Sequence, residues 1–383
     1  MRSISVLGAT GSIGASTLDL VRRERDKWRV IALTANCSAG ELARLAREFG
    51  AEIAVVGDES CLPELRDALA GSGIEAAGGA GALIEAAARG ADVTVAAIVG
   101  CAGLAPTMAA IEQGGTIALA NKEALVSAGE VMTAAVEKHG ATLLPVDSEH
   151  NAIFQCLHGE DLADVRWITL TASGGPFRDA TREMIEAATP EQAVAHPNWD
   201  MGAKISVDSA TMMNKGLEFI EAYHLFPVGL DRLRIIVHPQ SVIHSMVEYR
   251  DGSTLAQLGP SDMRVPIASA LAWPRRMDTP CDPLDLAAIG QLTFRAPDET
   301  LFPATRVARE CAHAGGAAPA VLNAANEIAV AAFLSGKIGF TRIVPQCEEV
   351  LARGVPAAPT TLGDVIAADA EARRRAEGLL ERV

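Results

Sequence analysis

Short apolar runs alternate with amphipathic stretches over the first 147 residues of this 383-residue chain. The amphipathic stretches, such as Glu41 to Phe49 and Glu123 to Lys138, have the residue spacing of helices. Strands that are apolar on both faces and separated by helices indicate a parallel sheet covered by helices. The sequence therefore predicts an α/β fold that begins with a doubly wound, Rossmann-like domain. The expected strands are Ile4–Leu7, Val30–Leu33, Ile53–Val56, Val93–Val99, Ile117–Leu119 and Leu143–Val146.

The pattern changes after Asp147. Four strand-like runs follow, interrupted by a long Pro- and Gly-containing stretch from Gly174 to Gly202, and this arrangement predicts a central α+β domain. A Pro- and Asp-rich segment from Pro274 to Pro303 is typical of a connector. The Ala-rich patterns at Ala317–Leu334 and Asp364–Leu380 predict a C-terminal helical bundle. The four runs are Val165–Thr171, Ile235–His238, Val242–Tyr249 and Thr254–Leu258.

The composition argues against several classes of protein. The net charge of −15 would repel nucleic acid, and no apolar run reaches the roughly 20 residues of a membrane-spanning helix. Seven cysteines, odd in number and without CxxC pairs, favour a reducing compartment over a disulfide framework or a structural zinc site. The N-terminus lacks the features of an export signal. We therefore expect a cytoplasmic protein that binds neither nucleic acid nor membrane.

A glycine-rich segment, GATGSIG from Gly8 to Gly14, directly follows the first predicted strand and opens a helix. Gly8 can make the tight turn, Gly11 can admit a pyrophosphate close to the backbone, and Gly14 can let the helix pack closely on the strand. The N–H groups at the start of the helix attract phosphates. The same glycines could merely permit a sharp turn, but their position after a strand favours dinucleotide binding.

The end of the second predicted strand reads TANCS from Thr34 to Ser38. It lacks the acidic residue that would bind a ribose 2′-hydroxyl, which favours a 2′-phosphorylated cofactor. No arginine or lysine stands there to bind that phosphate.

Two carboxylates, Asp147 and Glu149, come just after the last predicted strand of the first domain. In extended geometry both side chains would point to one side, at the sheet edge where ligands bind, and could hold Mg²⁺ or Mn²⁺. Alternatively, they could cap the helix that follows.

A second polar cluster lies between Ser206 and Glu218. If this stretch is helical after a cap near Ser206, then Asn214, Lys215 and Glu218 share one face. Asn214 and Lys215 could hold a phosphate while Glu218 completes a metal site, or Lys215 and Glu218 could form an ordinary surface ion pair.

Two further motifs lie at the two ends of the Pro- and Gly-containing stretch. Ser173 and the Gly174–Pro176 turn could supply another phosphate or substrate contact, although an ordinary turn would look the same. HPNWDMG, from His196 to Gly202, could form a lid that excludes water, or its histidine and tryptophan could fill the core.

Taken together, these motifs resemble the 1-deoxy-D-xylulose 5-phosphate reductoisomerase family from end to end. The resemblance rests on GATGSIG at 8–14, AIVGCAGL at 97–104, LANKEALV at 119–126, PVDSEHNAIFQ at 145–155, SGGPFR at 173–178, HPNWDMG at 196–202, KISVDSATMMNKGLE at 204–218, HPQSVIHSMV at 238–247 and LNAANEIAVAAFL at 322–334. One departure is that some members carry a Gly-Lys-Asn turn where this chain has Asn36-Cys37-Ser38.

The resemblance implies a homodimeric enzyme that uses NADPH and a divalent metal (Mg²⁺, Mn²⁺ or Co²⁺). It would isomerise and reduce 1-deoxy-D-xylulose 5-phosphate to 2-C-methyl-D-erythritol 4-phosphate, for isoprenoid precursors. The implied metal ligands are Asp147, Glu149 and Glu218, which with Lys122 are also the implied catalytic residues. The implied substrate contacts are Lys122, Ser148, Glu149, Ser173, His196, Trp199, Ser209, Asn214, Lys215 and Glu218. The implied cofactor contacts are Thr10, Gly11, Ser12, Ile13, Asn36, Asn121, Glu123 and Gly202.

The family pattern also implies a division of the chain. It gives an NADPH-binding domain at 1–147, a catalytic domain at 148–275 with a flap at about 174–203, a linker at 276–302 and a helical bundle at 303–383.

Two other functions stay open from the residues alone. A semialdehyde-dehydrogenase-like oxidoreductase would need a cysteine nucleophile, for which Cys101 and Cys156 are the candidates. A non-catalytic dinucleotide sensor would need no metal-held substrate site, so the clustered carboxylates and Lys215 argue against it.

Overall fold

The computed structural model describes residues 1–199 and 201–381. They divide into two compact units. The first unit comprises Met1–Ala124, Met132–Asn151 and Asp262–Asp282, and the second comprises Leu125–Val131, Ala152–Ser261 and the residues from Pro283 onward. Within the described residues, none of the helices combines the length and apolar character that crossing a lipid bilayer requires.

Ten of the eleven strands in the described residues overlap the predicted apolar runs, although the run Val93–Val99 is a strand only as far as Ala96. The strands are β1 Arg2–Leu7, β2 Trp28–Ala35, β3 Ile53–Val56, β4 Glu75–Gly78, β5 Val93–Ala96, β6 Thr116–Leu119, β7 Thr142–Pro145, β8 Val165–Ala172, β9 Leu233–Val237, β10 Ile243–Tyr249 and β11 Thr254–Leu258.

The helices alternate with the strands in the first half of the chain and dominate its end. They are α1 Ser12–Arg23, α2 Ala39–Phe49, α3 Leu62–Leu69, α4 Ala80–Ala87, α5 Leu104–Ile111, α6 Lys122–His139, α7 Ser148–Cys156, α8 Arg182–Glu186, α9 Pro190–Val194, α10 Ala203–Thr211, α11 Met213–Leu225, α12 Arg264–Ala272, α13 Leu286–Ile289, α14 Ala304–Ala314, α15 Ala318–Leu334, α16 Ile343–Ala352 and α17 Leu362–Leu380.

The first unit contains a seven-stranded sheet in the order β4-β3-β2-β1-β5-β6-β7, and every neighbouring pair is parallel. The predicted doubly wound sheet is confirmed. Strand β4 was not predicted, because its sequence, EAAG, has neither β-branched nor large apolar residues. The strand order reverses between β1 and β5, and ligands of such sheets bind beyond the carboxyl ends of the strands at this reversal.

The second unit contains a four-stranded sheet in the order β11-β10-β8-β9. Strand β10 is antiparallel to both of its neighbours, whereas β8 and β9 are parallel. Its core joins the sheet to α11 and the C-terminal helices, and the ring of Phe340 packs edge-on against Phe177 and Phe333 at 5.0 and 5.6 Å. The predicted α+β region and C-terminal helices are confirmed.

Candidate active site

The glycine-rich loop after β1 is sterically required to be glycine at two positions. Gly8 has φ +91°, and a Cβ atom there would lie 2.7 Å from the carbonyl oxygen of Ala97. A Cβ atom on Gly14 would lie 2.6 Å from Cα of Ala9, so a side chain would push α1 away from the loop. Gly11 has open surroundings, with no atom closer than 3.5 Å to a Cβ built on it. The loop therefore has the close packing and exposed backbone that a pyrophosphate site needs.

The remaining residues of this loop, Thr10, Ser12 and Ile13, are half-buried or exposed around the start of α1. The backbone N–H of Gly8 donates to Oγ1 of Thr34 at 2.9 Å, which ties the loop to the end of β2. All of these residues lie at the carboxyl edge of the sheet, beside the reversal of strand order.

The turn after β2 contains no basic residue, and it contacts an acidic residue from a later part of the chain. Asn36, Cys37 and Ser38 are exposed, and the carbonyl of Asn36 accepts a hydrogen bond from the N–H of Asp58 at 3.0 Å. Hydrogen bonds from Ser60 hold the pKa of Asp58 below its ordinary value, so this carboxylate is ionised at neutral pH. The turn therefore offers uncharged donors to a ligand, next to one negative charge.

The side chain of Asn121 makes two structural hydrogen bonds at the start of α6. Its Oδ1 accepts from the N–H of Ala124 at 3.2 Å as the N-cap, and its Nδ2 donates to the carbonyl of Gly100 at 2.9 Å. The next residue, Lys122, is buried and forms an ion pair with Asp147. Glu123 is half-buried in the first turn of the helix. A cofactor contact by Asn121 or Glu123 stays a prediction.

The spacing of the two carboxylates after β7 suggested extended geometry, and this expectation is wrong. Helix α7 begins at Ser148, so Glu149 lies in its first turn. One oxygen of Asp147 pairs with Lys122, and the other accepts from the N–H of Glu149 at 3.4 Å. Asp147 therefore also occupies the capping position of the alternative interpretation. Ser148 Oγ donates to Glu149 Oε2 at 2.6 Å, and Nδ1 of His150 lies 3.8 Å from Asp147 Oδ1.

The polar cluster of the second unit lies on two helices separated by a kink. The predicted cap near Ser206 is wrong, because α10 already begins at Ala203 and Ser206 is buried within it. Met212, at φ +65°, breaks the helix, and α11 starts at the next residue. The kink was not foreseen because nothing in the residue types there requires it.

The predicted shared face of α11 is confirmed. Asn214 Nδ2 donates to Glu218 Oε1 at 2.5 Å, and Lys215 Nζ pairs with Glu218 Oε2. The side chains of Lys215 and Glu218 are only 4% and 1% exposed, so the alternative of a surface ion pair is wrong. Charges this well buried are costly unless paired, and such groups are candidates for function.

The turn after β8 packs against α10. A Cβ atom on Gly175 would lie 2.6 Å from the carbonyl oxygen of Ser209, so this turn and the half-buried Ser209 are in direct contact. Ser173 Oγ accepts a hydrogen bond from the N–H of Gly175 at 3.1 Å and lies 2.8 Å from His196 Nε2. The structure thus joins Ser173 directly to His196, and joins the turn after Ser173 to Ser209 through Gly175.

The hydrogen bonds of His196 fix its protonation state. Its Nδ1 accepts from the N–H groups of Asn198 and Trp199 at 3.2 and 3.0 Å, so in the neutral ring the proton is on Nε2 and is donated to Ser173. Burial and then the charge of Arg178 lower the pKa of His196 to about 4. Because Ser173 Oγ already accepts from His196 and Gly175, its own proton is left to donate to a ligand.

The free energy of unfolding is expected to fall as the pH is lowered from 6.5 to about 4. Burial lowers the pKa of His224, like that of His196, from 6.5 to about 4. In this range the unfolded chain binds protons that the folded chain does not, so acid stabilises the unfolded state. Denaturant titrations at several pH values would measure this slope. His224→Gln should flatten it, and an equal slope in this variant and the wild type would contradict the assignment.

The HPQSVIH segment, residues 238–244, is part of the family motif but has no predicted role. Asn198 Nδ2 donates to the carbonyl of Pro239 at 2.7 Å and to Ser241 Oγ at 3.1 Å. The ring of Trp199 meets His244 edge-on, with centroids 6.1 Å apart. Asn198 and Trp199 therefore pack on residues 239–244. Gly202 is exposed at the start of α10, and Asp200 lies outside the described residues.

Of the two cysteine candidates, Cys156 is unsuited to act as a nucleophile. Cys156 is buried, and burial raises the pKa of its thiol to about 11, which keeps it protonated and unreactive at neutral pH. Cys101 is half-buried and lies in the first unit, next to the N-terminus of α5.

The site residues thus fall into two groups. Asp147 and Glu149 lie in the first unit with the glycine-rich loop, and Glu218 lies in the second with Lys215, Asn214, Ser209, Ser173 and His196. That the three carboxylates share one ion stays a prediction.

Comparisons with known proteins agree over the whole chain. The profile described as 1-deoxy-D-xylulose 5-phosphate reductoisomerase matches residues 4–129. Profiles for C-terminal domains of the same enzyme match residues 143–226 and 258–375.

The curated relatives carry the same name. The 1-deoxy-D-xylulose 5-phosphate reductoisomerase of Zymomonas mobilis is 60% identical over 380 residues, covering 99% of this chain and 98% of the relative. That of Afipia carboxidovorans is 56% identical over 386 residues, covering 100% of this chain and 95% of the relative.

Solved structures match equally well. The Zymomonas mobilis enzyme in complex with NADPH has a TM-score of 0.95 at 58% identity, covering 100% of both chains. A DOX-P reductoisomerase in complex with NADPH, fosmidomycin and magnesium has a TM-score of 0.95 at 43% identity, covering 100% of this chain and 98% of the other. On these similarities, this chain belongs to the 1-deoxy-D-xylulose 5-phosphate reductoisomerase family.

Proposed function

We propose that this protein is an NADPH-dependent oxidoreductase that also requires a divalent metal. It converts 1-deoxy-D-xylulose 5-phosphate to 2-C-methyl-D-erythritol 4-phosphate in isoprenoid precursor biosynthesis, the activity named for its family. The observation that carries the proposal is the buried Glu218 between Asn214 and Lys215, because it combines a metal-binding oxygen donor with two phosphate-binding donors.

The glycine-rich loop fits NADPH. Gly8 and Gly14 leave no room for a side chain, and the exposed Gly11 and Ser12 present the start of α1 to a pyrophosphate. When bound, NADPH supplies the hydride for the reduction. We assign Thr10, Gly11, Ser12 and Ile13 to the pyrophosphate, and Asn36, Asn121, Glu123 and Gly202 to the rest of the cofactor.

The carboxylates fit a hard divalent ion. Asp147, Glu149 and Glu218 offer only oxygen donors, which Mg²⁺ prefers and which Mn²⁺ and Co²⁺ accept. When bound, the ion supplies a Lewis-acidic charge for the rearrangement of the carbon skeleton. Lys122 would orient Asp147 through their buried ion pair, and Ser148 would orient Glu149 through its 2.6 Å hydrogen bond.

The phosphate of the substrate is assigned to the second unit. Lys215 brings a buried positive charge, and Asn214, Ser209 and Ser173 bring uncharged donors. His196 holds the hydroxyl of Ser173 so that its proton faces the ligand. Binding a phosphate far from the reacting carbons would let the protein orient the substrate during bond cleavage.

The flap, residues 174–203, would exclude water over the substrate. In support of this role, Asn198 and Trp199 near the end of the segment contact Pro239, Ser241 and His244. A covered site strengthens the interaction of Lys215 with phosphate, since water no longer screens it.

The experiment for this proposal is NADPH oxidation by the purified protein, tested against a panel of sugar phosphates with and without a chelator. We expect oxidation only with 1-deoxy-D-xylulose 5-phosphate and a divalent metal. Activity that survives the chelator, or that requires Cys101 or Cys156, would contradict the proposal.

Replacing Cys37 by arginine is expected to strengthen NADPH binding by about tenfold and to leave NADH binding unchanged. One added ion pair with the 2′-phosphate is worth about 1.4 kcal/mol, and no basic residue occupies Thr34–Ser38. Fluorescence titrations with both nicotinamides would measure the two dissociation constants. Cys37→Gln separates charge from size, and an unchanged NADPH constant in the arginine variant would show that the 2′-phosphate binds elsewhere.

We also propose a homodimer in the cytoplasm. Strand β11 is at the edge of its sheet and exposes Leu255 and Leu258, which suits pairing with a second copy, and light scattering would report the dimer. All seven cysteines are free, which suits a reducing compartment.

The proposed functional division stays 1–147 for NADPH, 148–275 for catalysis, 276–302 for a linker and 303–383 for a helical bundle.

A further inference from the structure

Helix α10 carries a buried carboxylate that neither the metal nor the substrate assignment uses. Asp208 is 1% exposed and directly precedes Ser209. Its Oδ2 lies 2.9 Å from Nζ of Lys204, one turn earlier, and its Oδ1 accepts from Nδ2 of Asn326 at 2.7 Å. A buried carboxylate is stable only when both a charge and hydrogen bonds compensate it, and Asp208 has both.

The two partners of Asp208 come from different parts of the second unit. Lys204 lies in the first turn of α10, immediately after the flap, and its side chain is 31% exposed. Asn326 is fully buried in α15, 118 residues away in sequence from Asp208. Asp208 therefore fixes α10 to a C-terminal helix, and its ion pair with Lys204 stabilises the first turns of α10 itself.

The position of α10 in turn sets the phosphate contacts. Ser209 is on α10 itself, and the Ser173 turn contacts α10 through Gly175. Asn214 and Lys215 follow within one turn of the kink at Met212. A shift of α10 by about 1 Å would disturb all of these contacts at once, and misplacement of this size can cost about 100-fold in rate.

We propose that Asp208 is a positioning residue for the substrate phosphate, acting through α10 and held by Lys204 and Asn326. The inference rests on the proposed function, since it assumes that Ser173, Ser209, Asn214 and Lys215 bind that phosphate. It assigns to the C-terminal bundle a role in substrate affinity, exerted through Asn326.

The test compares Asp208→Asn with Asp369→Asn in the full chain. Asp369 is a matched control because it is also buried, at 6% exposed, and pairs with Arg373 one turn away at 2.7 Å, on a helix without assigned site residues. In Asp208→Asn we expect KM for 1-deoxy-D-xylulose 5-phosphate and Ki for inorganic phosphate to rise together by about 10- to 100-fold, the loss expected when a hydrogen bond to a charged group is broken. The dissociation constant of NADPH should change by less than about twofold, because, of the assigned cofactor contacts, only Gly202 adjoins α10, and Asp369→Asn should keep all three values.

Lys204→Met is the second variant, for the case in which Asp208→Asn fails to fold. It removes the charge at a partly exposed position and should raise the same two constants by about fivefold or more. Loss of stability alone would lower the active fraction without changing KM or Ki. Wild-type KM and Ki in the folded variants, or an equal rise in Asp369→Asn, would overturn the inference. An inactive wild-type protein would instead contradict the proposed function.

Discussion

Replacing Glu218 by glutamine is expected to lower kcat by about 1,000-fold or more and to weaken activation by Mg²⁺. The substitution keeps the size of the side chain and removes one negative charge from the proposed metal site, where an ion contributes several kcal/mol to the transition state. It also disturbs the neighbours. Both oxygens of Glu218 accept from donors, one from Asn214 and one from Lys215, so the glutamine NH₂ group must face one of these donors.

The measurement for Glu218→Gln is kcat as a function of Mg²⁺ concentration, together with the dissociation constant of NADPH. The NADPH constant should stay at the wild-type value, because the glycine-rich loop belongs to the other unit. Glu327→Gln is a matched control, since Glu327 is also paired in the second unit, with Arg373 at 2.6 Å, and has no assigned role. A Glu218→Gln protein with wild-type kcat and Mg²⁺ dependence would rule out Glu218 as a ligand.

The fold could be predicted largely from local sequence. Buried parallel strands such as Ile53–Val56 are continuous apolar runs, and the glycine pattern from Gly8 to Gly14 fixes the turn between β1 and α1. Strand β4 could not be predicted because alanine and glycine have low strand propensity. It is a strand because it pairs with β3. The kink at Met212 could not be predicted either, because a positive φ at a methionine depends on tertiary packing and not on local propensity.

The site could be predicted where its residues lie one helical turn apart. Asn214, Lys215 and Glu218 are such a group, and their contacts follow from helix geometry. Contacts across large sequence separations could not be predicted in this way. The Asp208–Asn326 hydrogen bond joins residues that are 118 positions apart in the chain. Nothing in the sequence around either residue indicates that the other is its partner. The Ser173–His196 bond is of the same kind.

Replacing Gly14 by valine is expected to weaken NADPH binding by more than about 100-fold and to lower the melting temperature. A Cβ atom at Gly14 would lie 2.6 Å from Cα of Ala9, well inside the contact distance of two carbon atoms. The neighbouring atoms are backbone and cannot rotate away, so α1 must move from the loop, and overpacking of this kind typically costs 1–3 kcal/mol or more. The N–H groups at the start of α1 would then no longer face the pyrophosphate.

Gly11→Ala separates cofactor binding from packing. Gly11 has φ −79° and ψ 172°, which alanine adopts without strain, and a Cβ there has no neighbour closer than 3.5 Å. We therefore expect a wild-type melting temperature and an NADPH dissociation constant raised about 10- to 100-fold, because the methyl group would occupy the space assigned to the pyrophosphate. Gly81→Ala, within α4 and with nothing inside 4 Å of its Cβ, should keep NADPH affinity and slightly raise stability. If Gly11→Ala binds NADPH as tightly as the wild type, the pyrophosphate does not approach the backbone at this glycine, and the assignment of the loop fails there.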